Sequence, residues 1–224
     1  MADRAPLSLR AYRLLTAIGA PVANMVLAHR LKRGKEVAAR LPERRGESSM
    51  PRPDGALVWL HAASVGEMLA VLPLIDCIRA RDVTVLVTAG TVTAAELAEQ
   101  RLPAGVIHQF VPLDVPQFVG RFLNHWRPNL ALFVESDLWP NLIMAAATRD
   151  IPLILINGRM SERSHRRWRF FPRTIGALLT RFDLCLAQTT EDAGRYAELG
   201  APRYRTTGNL KLDVPAPPAD PSTT

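Results

Sequence analysis

Six short apolar runs recur along this chain, and they restrict its fold more than any other feature. They lie at 56–61, 83–88, 106–111, 130–134, 153–157 and 183–187, and the segments between them carry helical periodicity. Strands this apolar need cover on both faces. Strands and helices in strict alternation meet that need as an α/β doubly wound parallel sheet with right-handed crossovers. The chain has 224 residues, 48% of them hydrophobic, which is enough for a core on each side of such a sheet.

Ahead of the sheet, residues 14–28 read LLTAIGAPVANMVLA, with Arg10 and Arg13 before them and His29, Arg30, Lys32, Arg33 and Lys35 after. A spanning helix needs ~20 apolar residues, and this run is shorter and interrupted by Gly19, Pro21 and Asn24. It also lacks the cleavage pattern of a secretory signal. Two readings remain for it: an interfacial anchor with basic flanks on anionic headgroups, or an amphipathic helix that covers its own core. The first gives the expected organisation. Residues 1–41 form a membrane-associating helical segment, 42–55 a breaker loop, 56–213 the sheet domain, and 214–224 a Pro-rich tail of linker composition. The net charge of +7 points to anionic partners without choosing among phosphates, nucleic acid and a membrane surface. Cys77 and Cys185 stand in apolar contexts with no CxxC or His cluster nearby, so they read as reduced core residues in a cytosolic compartment.

Ligands of open α/β sheets bind outside the carboxyl ends of the strands, so the residues after each run are the candidates. They are His61, Ser64, Gly66 and Glu67 after the first; Thr88, Gly90 and Thr91 after the second; Asp114 after the third; and Glu135, Trp139 and Asn141 after the fourth. The fifth adds Asn157, Arg159 and Arg163, the sixth Gln188 and Glu191, and Asn209 and Lys211 follow near the end. Ser64 and Glu67 match a capping box, which needs no function. Gly66 between them equally suits close approach of a ligand to a helix N-terminus. Glu135 is either a polar strand end or a site carboxylate; with Glu67 on another strand exit it makes a carboxylate pair of the kind used for acid and base work. Arg159 and Arg163 are either a solvated face or a phosphate surface. The Thr88-Ala-Gly-Thr turn is too short for a phosphate-binding loop or a dinucleotide fingerprint, so no nucleotide cofactor is called for.

Four of these segments, HAASVGE, VESDLWPN, INGRMSERS and TGNLKLD, stand in the order and spacing of the 3-deoxy-D-manno-octulosonic acid (Kdo) transferases, and LPERRG before them also resembles that family. The resemblance covers nearly the whole chain. It implies the Rossmann-like N-terminal half of a GT-B glycosyltransferase, binding a lipid A precursor while a C-terminal half, absent here, binds CMP-Kdo. It further implies Glu67 as the catalytic base of an inverting transfer, and Glu135 and Lys211 as residues that stabilise the transition state. Ser64, Gly66, Asn157, Arg159 and Arg163 are then acceptor-binding candidates. The resemblance implies no metal and no cofactor, a place on the cytoplasmic face of the inner membrane against anionic lipid, and no nucleic acid as partner. Two departures, Gly158 for the family's usual Ala and Met160 for its usual Leu, change little; without the donor-binding half, the resemblance implies a chain that is incomplete as a catalyst. Two alternatives remain: a non-catalytic module that binds the lipid A precursor, and a basic nucleic-acid-binding domain resting on charge and the RRWRFF cluster alone.

Overall fold

A computed structural model describes residues 5–135 and 138–212. The chain opens with helices α1 (Leu7–Ile18), α2 (Ala20–Lys32) and, after a 3-10 turn at Ala38–Arg40, α3 (Leu41–Arg44). Strands and helices then alternate: β1 (Leu57–Ala62), α4 (Val65–Arg79), β2 (Thr84–Ala89), α5 (Val92–Arg101), β3 (Ile107–Phe110), α6 (Pro116–Trp126), β4 (Leu130–Val134) and α7 (Pro140–Ala147). The alternation continues with β5 (Leu153–Gly158), α8 (Glu162–Trp168), α9 (Pro172–Leu179), β6 (Leu184–Ala187), α10 (Thr190–Glu198) and β7 (Tyr204–Thr206), and a 3-10 turn at Leu210–Leu212 ends the described chain. All seven strands are parallel, in the order β3-β2-β1-β4-β5-β6-β7. The order reverses between β1 and β4, which is where such sheets open a crevice at their carboxyl ends.

The period of two along each strand builds one core on each face. Leu57 and Trp59 of β1, with Ala131 and Phe133 of β4, face α6, α7 and α9 through Phe122, Trp126, Ile143 and Leu178. Val58, Leu60 and Ala62, with Leu132 and Val134, face α4 and α5 through Met68, Val71, Ile75 and Ala95. All six expected strands form, with ends displaced by one residue at most. The seventh, Tyr204–Thr206, is short and exposed along its length, so no apolar run announces it.

The stretch expected as a breaker loop, 42–55, carries tertiary structure. Glu43 accepts the Phe110 N–H, and buried Arg44 pairs with buried Glu36 at 2.9 Å. Arg44 also donates to the carbonyls of Gly90 (2.8 Å) and Val111 (3.2 Å), just past the ends of β2 and β3. Gly46 turns the chain with φ of +78°, and a Cβ there would overlap the Phe118 carbonyl. A left-handed conformation alone costs an L-residue roughly 1–2 kcal/mol. Gly46→Ala therefore loses at least about 3 kcal/mol of stability or fails to accumulate folded, as read from urea melts; a midpoint equal to that of the native chain contradicts this packing.

The N-terminal helices are joined to the sheet domain. Leu9 is buried in the first core, the Tyr12 hydroxyl donates to Asp114, and Ser8 bonds Thr174 at the start of α9. Asp114 also accepts from the Asn141 and Leu142 amides, so a residue in the loop that follows β3 caps α7 and anchors α1. Burial pushes its carboxyl up, opposed by those donors. α1 and α2 meet at 64° across Gly19, and among the described residues no single helix is long and apolar enough to cross a membrane. Leu14, Leu15, Ile18, Val22 and Met25 nonetheless lie exposed on this pair. Of the two cysteines, Cys185 is in the core, where burial pushes its thiol up to about 12. Cys77 is exposed: it falls on the outer face of α4, which the apolar sequence around it does not reveal.

Candidate active site

β1 delivers the chain at its carboxyl end into Ala63 and Ser64, and α4 starts one residue later. Ser64 is the N-cap: its Oγ accepts the Glu67 N–H at 3.3 Å and donates to Glu67 Oε1 at 2.8 Å. Glu67 Oε2 accepts the Ala63 N–H at 2.8 Å. The capping box therefore forms, its acid reaching the amide one residue before the cap. Structure and chemistry do not compete here, because the same contacts that cap α4 fix a buried carboxylate at a helix N-terminus on the ligand edge of the sheet.

Glu135 ends β4 in a left-handed conformation, φ +59°, and Asn157 near the end of β5 does the same at +52°. Such conformations in non-glycine residues cost free energy and gather at functional sites. Glu135 Oε1 pairs with Lys211 Nζ at 2.7 Å, with Glu135 mostly enclosed and Lys211 half exposed. Lys211 is set in place by a turn that Asn157 holds, since Asn157 Oδ1 accepts the Leu210 N–H at 3.0 Å. Asn157, expected as an acceptor contact, is thus buried with its carbonyl oxygen engaged in positioning Lys211. Its Nδ2 has no hydrogen-bond partner among the described residues.

Gly66 joins the two groups. A Cβ on it would stand 3.7 Å from Lys211 Nζ, so the ammonium lies against the first turn of α4, beside Glu67's helix end. The Glu135–Lys211 pair, far apart in sequence, thus stands against the helix start that carries Glu67, at the carboxyl ends of β1 and β4.

Arg159 and Arg163 follow β5, exposed on a loop and on the first turn of α8. The loop is pinned from behind: the Met160 N–H donates to Asp192 Oδ1 at 2.8 Å and Arg195 Nη1 donates to the Met160 carbonyl at 2.9 Å. Asp192 and Arg195 were not among the sequence candidates; only the Thr189-x-x-Asp192 cap could have drawn attention to them. Two other candidates turn inward. His61 and Thr88 are buried within β1 and β2, where Thr88 Oγ1 accepts the Trp59 indole N–H and bonds His61 Nδ1 at 3.0 Å. Burial, slightly opposed by Thr88, lowers the His61 pKa to about 4, so it is neutral in neutral solution.

Residues 39–214 match the family described as 3-deoxy-D-manno-octulosonic-acid transferase (kdotransferase). The chain belongs to this Kdo transferase family. It is 43% identical over 211 residues to a protein of Arabidopsis thaliana named "Probable 3-deoxy-D-manno-octulosonic acid transferase, mitochondrial", covering 92% of this chain and 47% of that protein. It is 34% identical over 206 residues to the 3-deoxy-D-manno-octulosonic acid transferase of Rickettsia bellii, covering 91% of this chain and 49% of the relative. The chain thus spans about half the length of the curated relatives it matches. Among solved structures it resembles S. aureus MnaA determined with UDP, at 13% identity and a TM-score of 0.55 over 75% of this chain and 50% of that one. It also resembles a UDP-N-acetylglucosamine 2-epimerase of Listeria monocytogenes, at 16% identity and a TM-score of 0.51 over 72% and 47%. At such identities the likeness is one of fold alone, and here too the chain matches about half of a longer one.

Proposed function

We propose that this chain is the acceptor-binding half of an enzyme that transfers Kdo from CMP-Kdo to a lipid A precursor. The observation that carries the proposal is the Glu67 carboxylate, buried and held by two donors at the ligand edge of a Kdo transferase family chain. In this reading Glu67 takes the proton of the acceptor's primary hydroxyl as that oxygen attacks the anomeric carbon of Kdo and CMP leaves with inversion. Lys211, held by Glu135 and with further N–H donors to offer, balances the Kdo carboxylate or the leaving phosphate. Ser64 and Gly66 line the approach to the base, and Arg159 and Arg163 meet acceptor phosphates as planar, charged donors. The chemistry is tested by Glu67→Gln against Glu135→Gln in an enzyme holding both halves. A second reading, a module that binds the precursor without reacting, draws on one fact, that the chain spans about half of its relatives.

The exposed apolar face of α1 and α2 supports a place on the anionic, cytoplasmic surface of the inner membrane. Deleting the helices would also remove Leu9 and the Tyr12–Asp114 bond, so charged substitutions on the exposed face are the cleaner test. Leu14→Glu, Leu15→Glu and Ile18→Glu together remove apolar area that contributes about 1.5–3 kcal/mol for each side chain fully buried. Co-sedimentation with anionic vesicles should fall at least tenfold with the melting temperature unchanged. Full retention on vesicles moves the contact elsewhere, to exposed Phe170 and Phe171 beside Trp168.

A further inference from the structure

The Thr88-Ala-Gly-Thr turn takes no part in the site as described so far, yet it is bonded to Ala63, the residue whose N–H donates to the Glu67 carboxylate. The Gly90 N–H donates to the Ala63 carbonyl at 3.1 Å, and the Ala63 N–H donates to Glu67 Oε2 at 2.8 Å. A Cβ on Gly90 would stand 2.8 Å from Ala63 O and 3.2 Å from Ala63 Cα. Both are backbone atoms that a side-chain rotation cannot clear, so any larger residue here must shift the Ala63 peptide. The other side of Gly90 is held as well: Arg44 Nη2 donates to its carbonyl at 2.8 Å, and the guanidinium is fixed by buried Glu36 and stands 4.3 Å above the Phe110 ring.

We infer that Gly90 and Arg44 are positioning residues for Glu67, a clamp that runs from the Arg44 guanidinium through the Gly90 and Ala63 peptides to the carboxylate. This rests on the proposed role of Glu67 for its catalytic consequence and on the observed contacts for its physical one. Gly90 serves because only a residue without Cβ lets the β2 exit close onto Ala63. Arg44 serves because it presents separate N–H groups to Gly90 O, to Val111 O and to Glu36, which Lys cannot do from one point charge. The series holds the backbone of Gly90 at its carbonyl and its N–H and that of Ala63 likewise, and only its last group, the Ala63 N–H, donates to the carboxylate; a donor to an ionised carboxylate favours the ionised form.

The substitution Gly90→Ala tests the clamp by displacing Ala63 while leaving every charge in place. Lys211 and Glu135 at the same end of α4 and His61 on β1 are untouched by it. The readout is a carbon-detected NMR titration of the Glu67 carboxyl in this chain, assigned through Glu67→Gln. In Gly90→Ala the midpoint should move to higher pH by about half a unit or more, since a donor to the charged form is weakened. In an enzyme carrying both halves the same variant should lose about tenfold in kcat with little change in KM, and its acid limb should move in step with the titration. Arg44→Lys, which keeps the charge against Glu36, should shift the midpoint the same way and decides the matter if Gly90→Ala does not fold. An unmoved midpoint in the folded variants overturns the clamp. A moved midpoint with unaltered kcat overturns its catalytic part. Full turnover by Glu67→Gln is a separate failure, one that removes the base assignment and leaves the titration to judge the clamp alone.

Discussion

Glu67→Gln, in an enzyme that carries both halves, lowers kcat by ~10²–10⁴ and leaves the fold intact. The rate falls because an amide has no lone pair basic enough to take a hydroxyl proton. The fold holds because the amide can keep these local contacts: its oxygen still accepts the Ala63 N–H, and its nitrogen donates to Ser64 Oγ where the carboxylate accepts from it. Exchange of a charged acceptor for a neutral one at a helix N-terminus costs on the order of 1 kcal/mol, a few degrees of melting temperature. Steady-state kinetics beside a thermal melt separate the two effects. Near-normal turnover would take the base role from Glu67 and give it to Glu135, the other carboxylate at the crevice. Glu135 is less suited to it, since its Oε1 is committed to Lys211 at 2.7 Å.

The larger effect belongs to the chain as it stands. It should bind a phosphorylated lipid A precursor and transfer no Kdo. Acceptor contacts proposed at Ser64, Gly66, Arg159 and Arg163 all lie within this sheet domain, and Lys211 closes the described chain against α4. Nothing of that kind is assigned to the donor. Holding two reactants in line removes up to ~7–11 kcal/mol from a barrier, and in the proposed reading the donor is held by the other half of the enzyme, so this half alone forgoes that advantage. Incubation of the purified chain with radiolabelled CMP-Kdo and acceptor should give no labelled lipid above background. Labelled product from a preparation free of longer enzyme would mean that the chain carries a donor site of its own.

Much of this was legible in the sequence because the central strands are apolar on both faces. The runs at 56–61 and 130–134 could be little else, and they mark the crevice where the strand order reverses. Ser64 and Glu67 were legible as a pair because a capping box is a local pattern; Glu135 and Lys211 were legible as polar residues beyond the apolar runs, and only their roles entered through motif resemblance. What stayed hidden depends on contacts between distant segments. Nothing local in Asn157 says that its side chain catches the Leu210 amide and so sets Lys211. Nothing in Asp114 says that it caps α7 and holds Tyr12 of α1, and so it read as a ligand-edge carboxylate. His61 and Thr88 read as exit residues because each is polar at the end of an apolar run; the structure satisfies them against each other inside the core. Arg44 is the sharpest case. A charged residue in a polar stretch reads as solvated, and here it is buried between Glu36, two strand ends and an aromatic ring.

The central claim is that this chain is an acceptor half, and calorimetric titration tests it most directly. Two ligands, a phosphorylated lipid A precursor dispersed below its aggregation limit and CMP-Kdo, are titrated separately into the same purified chain. The account predicts saturable binding of the precursor, weakened by added salt and by Arg159→Ala with Arg163→Ala, and no heat of binding from CMP-Kdo. Saturable binding of CMP-Kdo with none of the precursor would contradict it and identify this sheet as the donor side.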